Sequence, residues 1–335
     1  MKADTLTPQS LFGQTVRYVV PLFQRPYVWT REDQWEPLWQ DVRSVAERLE
    51  EAQGMHEVPP HFLGAIVLDH EPTGTAYIQV RHVIDGQQRL TTLQLLLDAT
   101  QVVVEEHGHN TDSQALQLLV LNQAALAHEP TEVFKVWPTD RDQAVFQATM
   151  DNDTVVPAEL VAEPIAAAHA FFVEEITKWS GAGSAQPERV RERLHTLTMA
   201  LHSRLKMVVI DLEPGDNAQV IFETLNHRGS PLLAADLIKN LVFQRAVEQG
   251  LTPLPLYQQY WKHVDGKHWR TKVARGRQYV PRIDIFANYW LVMRLAREIP
   301  SDRIFAEFRE RVATQDSDVA ALLKEFSADA NVFAG

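Results

Sequence analysis

The sequence predicts an α/β protein of the α+β kind, in which a mixed-sheet core carries large helical insertions and a helical C-terminal part. Three observations lead there. Four short runs rich in Val or Ile, VRYVV, FLGAIVLD, AYIQVRHVI and LKMVVIDL, are bounded by turn residues and read as strands. Between and after them lie longer stretches whose apolar residues recur every three or four positions, as on one face of a helix. The 335 residues are 45% hydrophobic and 23% charged, the balance of a soluble globular protein large enough to bury a sizeable core.

Each element has a local reason. Residues 16–20 form the first strand, and the segment after it is paced by Pro21 and Pro26, which fix φ and remove donors, so it is extended and stiff. Thr30 is placed to cap a helix beginning near Arg31, with Trp35, Leu38, Trp39, Val42, Val45, Ala46 and Leu49 on one face and an end before Gly54. Residues 62–69 and 76–84 form a hairpin across the Pro-Thr-Gly-Thr turn at 72–75. The second of these strands runs straight into DGQQR, and from Leu90 the spacing of Leu93, Leu96, Leu97, Thr100 and Val104 is helical.

Residues 112–201 read as an Ala-rich helical layer, broken at 136–142, at VVPAEL and at a linker over 180–188. A strand over 205–212 is closed by Pro214-Gly215; a helix capped by Asp216 stops at NHRGS, and another runs from about Pro231 to Gln249. The remainder is mostly helical, with one aromatic and basic loop. The expected division is therefore a sheet core from 1–110 and 202–248, an inserted helical subdomain over 111–201, and a helical extension over 249–335 leading towards a further, C-terminal domain. No internal repeat is present.

Composition narrows the function. With no cysteine there is no disulfide and no thiolate metal site, so any metal is held by oxygen or imidazole. A net charge of −12 repels polyanions at long range, so a nucleic-acid partner requires a locally basic surface. No apolar run approaches a membrane span and the first residues lack an apolar signal core, which points to a cytoplasmic protein with no membrane partner.

Three motifs carry the chemistry. In IDGQQRLTTLQLLL a strand passes through Gly86 onto a helix start, an arrangement that suits an anion; Arg89 adds a bidentate phosphate donor, Gln87 and Gln88 can orient a base, ribose or water, and Asp85 can hold a metal or act as a base. The bland alternative is a turn with a solvated helix start. In FETLNHRGSPLLAADLIKN, Asn226, Arg228, Asp236 and Lys239 either share a cleft with the first motif or form a polar helix corner with a surface ion pair. In VPLFQRPYVW, the aromatic residues are either core or a rigid platform for stacking on a base or lining an apolar pocket, with Gln24 and Arg25 pointing to opposite faces.

Together the three motifs resemble the N-terminal domain of the GmrSD-type, modification-dependent restriction family. The matching stretches are Pro21 to Trp29 (PLFQRPYVW), Asp85 to Arg89 (DGQQR) and Phe222 to Asn240, in the family's order, and the resemblance spans about residues 10–245. It implies a ParB/sulfiredoxin-like core that binds and hydrolyses a nucleoside triphosphate, GTP or ATP, with Mg²⁺. Asp85, Gln87, Gln88 and Arg89 would be catalytic and Asp85 would bind the metal. Gly86, Gln24, Arg25, Asn226, Arg228, Asp236 and Lys239 would line the nucleotide site. It further implies antiphage defence in which modified DNA stimulates turnover and licenses an HNH-type nuclease in a C-terminal domain. The chain is most similar to the phosphorothioate-sensing, SspE-type members; hydroxymethylcytosine-dependent restriction and a nucleotide-gated DNA clamp without turnover are the alternatives. Pro21, Tyr27 and Trp29 would then sense the DNA.

One further stretch bears on DNA. Residues 262–282 hold seven Lys or Arg against a single Asp, with His263, His268, Trp269 and Tyr279. Either this is an ordinary solvated loop, or Lys267, Arg270 and Arg275 contact phosphates. Oligomeric state is left open, a homo-oligomer included.

Overall fold

Strand pairing joins segments that are far apart in the chain. A computed structural model describes residues 1–22, 24–52, 58–70, 78–107, 110–151, 154–183, 186–213, 233–275, 278–314 and 318–334. The expected turn at 72–75 and the helix capped by Asp216 lie outside them. By internal contacts the chain divides into two units, residues 1–21 with 26–218, and residues 22–25 with 219–335.

The first unit is built on a six-stranded mixed sheet of β1 (Lys2–Leu6), β2 (Val16–Val19), β3 (His61–His70), β4 (Gln79–Asp85), β5 (Val136–Trp137) and β6 (Leu205–Asp211), in the order β1-β6-β3-β4-β2-β5. The hairpin expected from the sequence is the antiparallel pair β3–β4, and β6 joins β3 in parallel. Two edge strands carry no sequence signal. β1 is polar and mostly exposed, so nothing alternates along it, and it pairs antiparallel with β6. β5 is only two residues long and is followed by a proline; the stretch that reads as a break between helices adds in parallel to β2, with Tyr18 opposite Val136. Asn122 supports this edge, its amide donating to the Val16 carbonyl at 2.9 Å and its carbonyl accepting from the Val16 N–H at 3.3 Å.

Helices α1 (Pro8–Phe12), α2 (Glu36–Glu51), α3 (Gln87–Glu106), α4 (Asn110–Val120), α5 (Asp140–Met150), α6 (Pro164–Ser180) and α7 (Pro187–Ser203) complete this unit. α2 has the amphipathic face read from the sequence, with Trp39, Val42, Val45 and Ala46 buried; it packs on α7, and Trp39 meets Trp179, near the end of α6, edge to face at 6.2 Å. Its start differs from expectation. Arg31–Trp35 form a wide π-type turn, and Thr30 bonds the Asp33 carboxylate in place of a backbone amide.

The spacing along α3 suggests one apolar face, yet the helix is buried on almost every side because α4, α6 and α7 pack around it. Its polar residues are accommodated inside: Thr92 and Thr100 donate to the carbonyls one turn back, Gln94 donates to the Leu119 carbonyl, and Asp98 meets His169 at 2.8 Å. The helices of 111–201 share one apolar cluster with the sheet, which includes Val136, Phe146, Phe172 and Leu201.

The second unit contains α8 (Ala234–Glu248), α9 (Arg282–Leu295), α10 (Ile304–Arg311), α11 (Val319–Ala334) and a two-stranded ribbon of β7 (Lys272–Arg275) and β8 (Gln278–Pro281). Its core is aromatic: Trp261 stacks on Phe326 at 5.0 Å, and Trp290 and Phe286 meet the same ring. The contacts group α8 with this unit, whereas the division drawn from the sequence put it with the sheet.

Gly86 is the hinge that turns β4 into α3. Its φ of +91° belongs to the left-handed region, and a Cβ there would stand 2.6 Å from Ile66 Cγ2. Gly86→Ala is therefore expected to lower stability by about 2–4 kcal/mol, combining backbone strain with overpacking. Denaturant unfolding measures this, and Gly86→Ala should cost less in an Ile66→Ala background, which lacks the Cγ2 that a new Cβ would meet; an unchanged midpoint would contradict the close approach.

Candidate functional site

The junction of β4 and α3 lies where the sequence places it. Asp85 ends β4 opposite Val67, Gly86 makes the turn, and Gln87 opens α3; Asp85 and Gln87 are half-buried. Gln88 has a different occupation from the one its motif suggests. Its side-chain carbonyl accepts from the Val28 N–H at 2.8 Å and its amide donates to the Pro26 carbonyl at 3.0 Å, so a carboxamide expected to orient substrate instead clamps the aromatic segment to the helix start.

Arg89 occupies a notch cut for it. Gly64, with φ +97°, lies beneath the guanidinium, where a Cβ would come within 3.1 Å of Cζ, and Nη1 donates to the Ala65 carbonyl. Burial pushes the arginine's pKa down and Asp85 opposes that shift. Arg89 also lines a cavity of about 180 Å³, with Trp29, Leu38, Leu63 and Leu93 among its apolar lining. Asp41 and His61, 3.4 Å apart, belong to the same lining. Sequence reasoning missed this pair, because nothing local links a helix residue to a strand residue twenty positions later. Among the described residues no three His, Asp or Glu side chains converge on a point that would hold a metal ion.

Tyr27 is core, which corrects its assignment to DNA sensing. It is 5% exposed; its hydroxyl meets Thr92 Oγ1 at 2.7 Å and accepts from Trp35 Nε1 at 2.9 Å, while its N–H donates to Asp142 at 2.8 Å. A phenol buried this way needs fixed partners, and here they come from α3 and the turn before α2. Trp29 is half-buried in the cavity wall, and Pro21 is half-buried beyond the end of β2.

The distal motif is described from residue 233 onward, so Asn226 and Arg228 lie outside the described residues. Asp236 and Lys239 do not form the surface pair that their spacing allows. Lys239 is 1% exposed; its Nζ donates to Asp265 at 2.8 Å and to the Gln24 carbonyl at 3.2 Å. Arg270 joins Asp265 at 2.5 Å and Asp236 at 2.6 Å. Two cations and two carboxylates thereby close a buried network, to which Tyr257 adds a hydroxyl donor on Asp265 at 3.2 Å. Burial acts to raise the Asp265 pKa, but Lys239 and Arg270 hold it below the ordinary value. Arg270, expected on a DNA-facing surface, is consequently turned inward, because a buried carboxylate without a counterion would be far costlier. Arg25 is half-buried. The side chains of Lys267 and Arg275 lie outside the described residues.

Residues 9–243 match the family described as GmrSD restriction endonuclease, N-terminal domain. The chain belongs to that family. It is thus a restriction-family protein of modification-dependent defence, with DNA as the partner that membership indicates. Among curated proteins none matches the chain. No helix among the described residues is long and apolar enough to cross a membrane. In this GmrSD-family domain the resemblance rests on motifs whose residues divide by job: Gln88 and Tyr27 hold the scaffold, and Arg89 with Trp29 faces a cavity.

Two expected outcomes follow from this geometry. Tyr27→Ala removes a buried ring and strands the Trp35 and Thr92 partners, so it should cost about 3–5 kcal/mol in a melt or denaturant titration; a stable variant would return Tyr27 to the list of ligand contacts. Asp284 accepts from the Ala235 N–H at 3.0 Å, and burial raises its pKa from 3.8 to about 6. An acid with a raised folded pKa binds its proton more tightly when folded, so stability falls as pH rises from about 4 to about 6. The stability difference between Asp284→Asn and wild type should therefore grow by roughly 2–3 kcal/mol across that window, and parallel stability-versus-pH curves would refute it.

Proposed function

We propose that this domain binds and hydrolyses a nucleoside triphosphate at the start of α3 and that modified DNA controls the turnover. The observation that carries the reading is Arg89, whose guanidinium is held by Gly64 and Ala65 at a strand-to-helix junction and which lines a cavity. A phosphate is the group that a fixed, planar, partly desolvated fork recognises best, and the helix N-terminus favours the same charge. Trp29 offers a ring beside it, suited to a base or sugar.

In this reading Arg89 takes phosphate oxygens and stabilises the charge that builds on them. Asp85 holds Mg²⁺ or orients the attacking water, Gln87 positions a reacting group, and Gln88 acts indirectly by locking residues 26–28 beside the helix start. Mg²⁺, when bound, neutralises phosphate charge. Phosphoryl transfer requires mainly positioning and electrostatic stabilisation, which these groups supply. Phosphorothioate DNA is the proposed effector and nicking by an HNH-type nuclease the proposed output; the motif resemblance to phosphorothioate-sensing members supports both. GTP and ATP are separated by assay.

Turnover of each nucleotide is measured alone and with plain, phosphorothioate and hydroxymethylated duplexes. Stimulation by the phosphorothioate duplex alone is expected. Stimulation by the hydroxymethylated duplex alone redirects the specificity, and nucleotide binding without turnover makes the domain a clamp. Arg89→Lys keeps the charge but loses the fork, and should reduce turnover about 100-fold or more, comparable with removal of one transition-state donor. Wild-type turnover in that variant would remove Arg89 from the site.

A further inference from the structure

The Arg89 cavity holds a pair of groups that the proposed function leaves without a task. Asp41 and His61 both belong to its lining, with His61 Nε2 3.4 Å from Asp41 Oδ2. Each sits on a fixed element. Asp41 follows Leu38 by three residues on α2, so the two share the helix face that lines the cavity. His61 opens β3 opposite Leu205 of β6, and its N–H donates to the Arg204 carbonyl at 2.8 Å. Further along the same strand comes Gly64, beneath the Arg89 guanidinium, so residues 61–64 carry both the imidazole and the cradle of the arginine. The Asp41 side chain is 52% exposed and that of His61 29%. A pair so open to solvent contributes little to stability, and its position is better explained by chemistry in the cavity. Asp41, His61 and Arg89 are the titratable side chains of the lining; Asp85 is not part of it.

We propose that His61 is the general base of nucleoside triphosphate hydrolysis at this site, with Asp41 as its positioning residue. The inference rests on the proposed function, since it takes a triphosphate at Arg89 as the substrate. Of the three titratable groups, an imidazole is the one built to accept a proton at neutral pH, whereas a guanidinium stays charged and a solvated carboxylate is a weak base. The carboxylate facing Nε2 favours the tautomer with its proton there and leaves Nδ1 as acceptor; among the described residues no hydrogen bond occupies Nδ1. The water oxygen bonds to the terminal phosphorus as the bond from phosphorus to the bridging oxygen breaks, and that oxygen leaves with the electron pair on the nucleoside diphosphate. One water proton passes to His61 Nδ1, Asp41 stabilises the imidazolium so formed, and the proton returns to solvent before the next cycle. Arg89 meets the charge on the phosphoryl oxygens. A cavity of about 180 Å³ has room for a phosphoryl group and a water, whose share of liquid volume is about 30 Å³. Orienting the attacking water thereby falls to the His61 pair and not to Asp85.

The test uses the whole chain and separates binding from turnover. Affinity for a non-hydrolysable triphosphate analogue is read by calorimetry, and kcat is read with the nucleotide and duplex that give wild-type turnover. His61→Ala should lower kcat about 100-fold or more, the usual contribution of a general base, and leave analogue affinity unchanged. Added imidazole should restore part of that kcat by occupying the space the ring vacates, an effect no structural role would produce. Asp41→Asn keeps the shape, loses the charge that orients the ring, and should lower kcat about tenfold or more with analogue affinity again unchanged. Melting temperatures accompany each variant, and both should stay near the wild-type value because neither group is deeply buried. Wild-type kcat in His61→Ala would overturn the inference and leave the nucleotide site standing. So would a loss of analogue affinity as large as the loss of turnover, or a kcat that falls together with the melting temperature and that imidazole does not restore. Wild type that binds the analogue without turning nucleotide over refutes the base assignment alone; wild type that does neither refutes the site and the base together.

Discussion

The approach of Gly86 to Ile66 is the constraint on which the first unit's site depends. Only a residue without a side chain can turn β4 into α3 at φ +91° with the Ile66 side chain in the space a Cβ would fill. That turn sets the phase of α3, and the phase decides everything after it. Gln88 then points at the backbone of residues 26–28, Arg89 lies over Gly64, and Leu90 begins the run that fills the core. A shift of one residue would rotate each side chain by about 100° and dismantle all three relations.

The second unit is organised by a different force. Its buried charges, Lys239, Asp265, Arg270 and Asp236, satisfy one another at 2.5–2.8 Å within a shell of aromatic rings. Such a network adds little net stability over an apolar core of the same shape, since desolvation offsets much of the attraction. It constrains instead: α8 cannot slide or rotate without leaving a charge unpaired, which fixes the register of Asp236 and Lys239 against the segment of Asp265 and Arg270. The same network withdraws Arg270 from the basic stretch.

The two kinds of placement explain why members of one motif have unlike duties. Within DGQQR, adjacent residues clamp backbone and face a cavity; within PLFQRPYVW, Tyr27 is locked in the core while Trp29 remains in the cavity wall. In a strand-to-helix turn or an extended segment, neighbouring side chains necessarily point in different directions. A run of motif residues is therefore a structural and chemical composite.

What the sequence by itself determined is local. The β3–β4 hairpin, the passage of β4 into α3, the amphipathic α2 and the family all follow from period, turn chemistry and motif order, because each depends on residues near one another in the chain. The tertiary structure alone decided that β1 and β5 are edge strands, that α3 is buried on almost every side, that Tyr27 bonds Thr92 and Trp35, and that Arg270 turns inward to Asp236 and Asp265. In each of these the deciding partner is supplied by another element of the fold. Burial and charge pairing depend on what long-range packing brings within a few ångströms, and no local pattern carries that information.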